Sequence, residues 1–186
     1  MSSSSYTDGL GTFHVAGEVR NNSPEYMEFV EIIGTVFDPA GQVVASDYIY
    51  THADFVAPGE TAGFDLTVVD GGSLGVSRYE LEVQGEATSD RPAPGLVIQG
   101  DSSSIDDIGD LHVVGLVVNQ SDAPAEFVKI VGIFYTADGT VVRSDFTYTD
   151  LDIVAPGEST SFDLIVLEGA SAGIARYSLK VEGAQP

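Results

Sequence analysis

The side chains able to do chemistry in this sequence are overwhelmingly carboxylates. There are 29 Asp and Glu against 7 Lys and Arg, three His and no Cys. Without cysteine there is no disulfide, no thiolate metal site and no thiol nucleophile. The densest acidic stretch, "DSSSIDDIGD" (101–110), brings together Asp101, Asp106, Asp107 and Asp110, hard oxygen donors of the kind calcium takes; Asp150 and Asp152 form a second group. Neither stretch has EF-hand spacing, and a shell of six to eight oxygens cannot be traced, so solvated surface is the expected state and calcium the alternative. His14 and His112 sit at the head of similar apolar runs, but zinc needs three or four converging ligands. The remaining histidine, His52, has Asp150 in its equivalent place, so packed structural histidines are expected. No GxSxG, HExxH or P-loop occurs, and the chain is expected to be no enzyme and to use no cofactor.

Three further patterns are weighed in the same way. Asn21 and Asn119 each begin an N-x-Ser sequon, which makes them glycosylation candidates; the competing expectation is an Asn side chain closing a turn. Pro24 makes Asn21 the poorer acceptor. Asp65 with Arg78, and Asp163 with Arg176, are expected to be structural ion pairs between neighbouring strands, worth about 0.2–1 kcal/mol when exposed. Tyr48, Tyr50, Phe146 and Tyr148 are the first suspects for stacking on a sugar, although one face of such a strand is more simply core.

The sequons, the Asp–Arg pairs, the aromatic pairs and two of the three histidines recur at one interval. Shifting the sequence by 98 places aligns residues 13–87 with 111–185 without a gap, and about half of the positions are identical. "HVAGEVRNNS" matches "HVVGLVVNQS", and "FVAPGETAGFDL" matches "IVAPGESTSFDL". Preserved loop lengths over that span mean duplication of one domain. The expected organisation is a first repeat over 1–87, a proline-containing linker over 88–100 and a second repeat over 101–186. Inside each repeat the apolar period is two, as in Phe13, Val15, Gly17 and Val19 or Phe64, Leu66 and Val68. Pro58–Gly59 and Pro156–Gly157 read as turns that start a strand with two core anchors, Phe64 and Leu66 or Phe162 and Leu164. Short strands separated by turns predict an all-β chain of two tandem antiparallel sandwiches, with no helix and one short turn over 70–76.

The order "HVxGxVxN", a long apolar strand, a "VV" strand, then "PGExxxF" and "YxLxV" resembles the FxLYD domain family in both repeats. The naming motif itself is degenerate, reading "GTVFD" (34–38) and "GIFYT" (132–136). The resemblance implies immunoglobulin-like β-sandwiches of exported archaeal or bacterial proteins.

A formal charge of -22 disfavours nucleic acid and anionic membranes as partners. Solubility alone asks for a magnitude of only about 2–8 in a small domain. So acidic a surface with two lysines, Lys129 and Lys180, resembles proteins of extreme halophiles. No apolar run of about 20 residues is present for direct membrane insertion, and "MSSSS" reads as a polar tether. The expected role is a non-enzymatic structural, adhesion or assembly module, extracellular or at the cell surface, with a protein partner or self-association through sandwich faces or edges. The alternative is a module binding carbohydrate or a divalent cation such as calcium.

Overall fold

The computed structural model describes residues 1–68, 75–167 and 173–185. The turn expected over 70–76 lies, for all but its last two residues, outside them. The described chain is all-β. The first repeat contributes β1 (Ser2–Thr7), β2 (Phe13–Arg20), β3 (Tyr26–Phe37), β4 (Val43–Tyr50), β5 (Phe55–Val56), β6 (Thr61–Val68) and β7 (Arg78–Thr88). The second contributes β8 (Leu96–Ile105), β9 (Leu111–Asn119), β10 (Ala125–Tyr135), β11 (Val141–Tyr148), β12 (Ile153–Val154), β13 (Ser159–Val166) and β14 (Arg176–Ala184).

Each repeat is an immunoglobulin-like sandwich of two antiparallel sheets. In the first, β1-β2-β6 faces a sheet in which β3 pairs β4 and β5 along one edge and β7 along the other. In the second, β8-β9-β13 faces β10 with β11, β12 and β14. The period-two pattern places Val15, Ile32, Val36, Phe64, Leu66 and Val68 in one core, and Val117, Ile130, Phe162 with Val113, Phe134, Leu164 in the other. Full burial of such a side chain is worth about 1.5–3 kcal/mol.

The paired anchors of "FDL" meet glycines. A Cβ on Gly17 would stand 2.5 Å from the Phe64 ring, and one on Gly34 2.2 Å from Leu66. Gly115 under Phe162 and Gly132 under Leu164 repeat the relationship at 2.8 and 2.5 Å. The glycine of "VxG" makes room for the phenylalanine paired across from it in the same sheet, and the glycine of "IxG" makes room for the leucine that reaches it from the facing sheet.

Two expectations about the ends of the repeats change. Ser2–Thr7 is a hydrogen-bonded edge strand on β2 and not a tether. The segment 88–100 is not all linker, because Thr88 ends β7 and residues 96–99 of β8 already pair with β9, ahead of a bulge between Gln99 and Ser102. Residues 89–95 alone join the sandwiches, and they are tied down: Ala93 is buried in the second core, its N–H donates to Gly183 at 2.7 Å, and the Arg91 guanidinium lies 3.9 Å from the Tyr26 ring centre.

Candidate functional site

Core-facing residues use up one side of each sheet, and the duplicated sequence makes the other sides equivalent between repeats. The fold uses them unequally. The outer face of β1-β2-β6 in the first sandwich is covered by the outer face of β10, β11 and β14 in the second. Ala16, on β2, is completely buried although it points away from its own core, and Val131, on β10, joins the first sandwich's buried cluster. A Cβ on Gly63 would lie 2.3 Å from Ser144 Oγ and 2.8 Å from Ile133, so that close approach needs the glycine that the second repeat replaces with Ser161.

Two polar clusters bracket this seam. At one end both lysines of the protein converge on Glu182, which is 2% exposed. Lys129 Nζ lies 3.4 Å from Glu182 Oε1 and 2.6 Å from Asp54 Oδ1 of the first repeat. Lys180 Nζ lies 3.8 Å from Glu182 Oε2 and 3.0 Å from Glu60 Oε2, and it also donates to the Phe55 carbonyl. The backbone N–H of Asp54 donates to Glu182 at 2.6 Å. Burial pushes the Glu182 carboxyl up, while the Asp54 N–H and the two ammonium groups pull it back.

At the other end Arg143 reaches Asp65 at 3.4 Å and donates to the Tyr6 hydroxyl. Tyr6 donates to Asp65 at 3.0 Å and stacks on His14 with ring centres 4.6 Å apart. Burial, then the Asp65 charge, raises the Tyr6 phenol above its ordinary value. Between the clusters Tyr135 donates to Glu18 at 3.0 Å, and His52 Nδ1 meets Ser144 Oγ at 3.0 Å. Burial lowers the His52 imidazole.

Several expected sites are rearranged by this geometry. The ion pairs Asp65–Arg78 and Asp163–Arg176 are not among those of the described residues. Asp65 is taken by His14 (3.1 Å) and Arg143, and Asp163 by His112 (2.9 Å). Arg78 pairs with Glu80 and covers the Phe37 ring, and Arg176 covers Tyr135. Strand pairing brings β2 beside β6, so His14 stands next to Asp65, whereas Arg78 lies on the opposite sheet. Each histidine lies between two aspartates, His14 with Asp8 at 3.5 Å on its second nitrogen and His112 with Asp106 at the same distance. The Asp163 bond raises the His112 imidazole.

The glycosylation candidates are also corrected. Asn119 is fully buried and Asn21 nearly so. Each spends both amide hydrogens on carbonyls, Asn119 on Ala123 and Val154, Asn21 on Glu25 and Val56, at 2.7–2.8 Å. Their carbonyls take the Ser121 and Ser23 hydroxyls of the sequons themselves. The amide nitrogen that would carry a glycan is inside the fold, and each sequon is a turn-closing motif.

Asp101, Asp106, Asp107 and Asp110 do not form a shell. Asp101 accepts from Tyr177 at 2.9 Å, and Asp106 caps its own turn through the N–H groups of Ile108 and Asp110. Among the described residues no three His, Asp or Glu side chains are grouped so as to hold a metal ion.

Tyr48, Tyr50, Phe146 and Tyr148 are 60%, 48%, 41% and 53% exposed, with Tyr48–Tyr50 and Phe146–Tyr148 edge to face. Beside them lies a feature that strand periodicity conceals. Phe29 and Phe127 adopt positive φ (48° and 50°) at the bulges of β3 and β10 and stand 62% and 67% exposed. Phe29, Tyr50, Phe55, Glu28 and Asp54 line a crevice of ≈ 540 Å³, and Phe127, Tyr148 and Asp152 line its counterpart of ≈ 260 Å³. The strain was invisible in sequence because phenylalanine in an apolar strand signals core.

No family model matches the chain, and no curated protein matches it. Among solved structures it is similar to red sea bream transglutaminase, at 10% identity and a TM-score of 0.31, over 98% of this chain and 29% of that one, so it spans less than a third of that protein's length.

Proposed function

We propose that the chain is a non-enzymatic structural module of a cell-surface or exported protein, built to hold two sandwiches in a fixed relation. The observation that carries this reading is the seam, in which the second repeat spends Lys129, Arg143 and Lys180 on the first. Three of seven basic residues in a protein of formal charge -22 are committed to orienting one domain on another. The docked segment 89–95 serves the same end. A stiff acidic unit suits spacing, adhesion or assembly, and the acidic, lysine-poor surface suits concentrated salt, where the Debye length falls to about 3 Å at 1 M. The resemblance to FxLYD domains and a halophilic archaeal source belong to this proposal. Protease treatment of intact cells tests it: cleavage without lysis supports surface exposure, and protection until lysis overturns it.

A second reading rests on the two aromatic crevices. A left-handed phenylalanine costs about 1–3 kcal/mol and persists where something else requires it. Rings beside Glu28 and Asp54, and beside Asp152 in the second repeat, offer apolar faces with hydroxyl acceptors, which is the chemistry of a neutral carbohydrate. Calorimetry against a glycan panel tests this reading, with no heat from any glycan as the negative result.

A further inference from the structure

The seam has a second, unfilled copy. The outer face of β8-β9-β13 is the repeat equivalent of the face that the seam covers, and it turns Val114, Leu116 and Ile165 to solvent at 39%, 46% and 41% exposure. The outer face of β3, β4 and β7 is the equivalent of the face that does the covering, and it presents Ile33 and Val43 where the second repeat has Val131 and Val141, while Ala45, in the place of Arg143, packs against its own core. Both halves of a seam therefore stand open on one chain.

The substitutions run in pairs. Glu18 and Tyr135, hydrogen-bonded in the seam, correspond to Leu116 and Phe37, a polar pair exchanged for an apolar one. Asp65 and Arg143 correspond to Asp163 and Ala45, and Asp163 has its charge answered locally by His112. Lys129 with Asp54 and Lys180 with Glu60 correspond to Glu31 with Asp152 and Glu82 with Glu158. Carboxylate would face carboxylate at both places.

We propose that these two faces join successive copies of this chain head to tail, with the Glu31–Asp152 and Glu82–Glu158 repulsions holding the contact open in dilute salt and releasing it in concentrated salt. This rests on the assembly reading above and names its partner and its control. The apolar pairing supplies attraction that salt does not screen, while like charges a few ångströms apart repel strongly only where the Debye length is long, about 10 Å at 0.1 M. Because the two faces differ, the contact is heterologous, and copies add head to tail beyond a dimer, as a line or as a larger ring.

Sedimentation velocity of the full chain from about 0.1 M to about 3 M NaCl, over a range of protein concentrations, tests the proposal. Mass should grow with concentration at high salt without stopping at a dimer. Leu116→Arg should weaken association by more than about tenfold, the size expected for a buried central contact. Glu31→Lys with Glu82→Lys should bring association down to low salt, and circular dichroism checks that each variant is folded. A wild type that stays monomeric at every salt, a Leu116→Arg chain that associates like the wild type, a charge variant without a salt shift, or a mass that stops at two copies each overturns the proposal. A monomer found on the cell surface sinks this inference alone, whereas a chain protected until lysis sinks the surface reading.

Discussion

Lys129 of the second repeat sits 2.6 Å from Asp54 of the first and 3.4 Å from Glu182 beneath it, and it is the same strand position at which the first repeat carries Glu31. One difference between the duplicated domains thus separates a carboxylate outside the seam from the bolt of the interdomain seam. Its partner Glu182 is buried, so the balance depends on both charges being present.

Removing one charge should show this. Lys129→Ala leaves Glu182 buried with its nearest ammonium gone, and with Lys180 still 3.8 Å away the loss should fall below the roughly 3–5 kcal/mol of a fully unpaired buried charge. Pairing Lys129→Met with Glu182→Gln, the residue type found at Gln84, should restore most of the loss, since the glutamine oxygen still accepts from Asp54. Urea unfolding of the two variants measures the difference.

His52 should make the seam acid-sensitive. Burial holds the imidazole below its ordinary value, with Lys129 and Arg143 adding to the cost of a cation there and Asp145 and Asp65 opposing it. The unfolded chain therefore binds the proton first, near a pH of about 6.5, and stability falls as pH drops below that point. His112 acts in the opposite sense, because its raised value favours the folded state at low pH and that contribution fades as pH rises through it. Melting temperature followed from pH 7.5 to 5 should decline less steeply in His52→Gln than in the wild type.

How much of this was legible in the sequence differs between levels. The 98-residue repeat, the strand alternation and the inward pair of Phe64 and Leu66 all follow from local periodicity, and the structure has them. Periodicity says which side chains leave the core, but it does not say what they meet. Recurrence pairs Asp65 with Arg78, yet Asp65 faces the seam and Arg78 lies on the other sheet. The available signal was difference, not recurrence: Lys129, Arg143 and Lys180 stand where the first repeat has Glu31, Ala45 and Glu82. The two sequons misled for the converse reason, since recurrence reflected a buried turn.

Asn119→Ala should cost about 2–3 kcal/mol, because it leaves the Ala123 and Val154 carbonyls without the amide hydrogens they hold. Thermal unfolding reads the loss. The intact mass of protein from the native source should show Asn119 unmodified.

Phe29→Gly and Phe127→Gly should behave unlike ordinary aromatic truncations. Both rings are largely exposed, so little burial is lost, and glycine removes a left-handed strain of about 1 kcal/mol or more. Unfolding should show unchanged or higher stability. If the crevices bind glycans, the same variants should lose that binding.

The seam makes the two repeats one body. Backbone ¹⁵N relaxation measured on both sandwiches tests it most directly. A single rotational correlation time shared by strands of the two repeats, appropriate to the whole 19.5 kDa chain, is the expected result, with a fall toward separate, shorter times in Lys129→Ala with Arg143→Ala. Separate short correlation times in the wild type would contradict it.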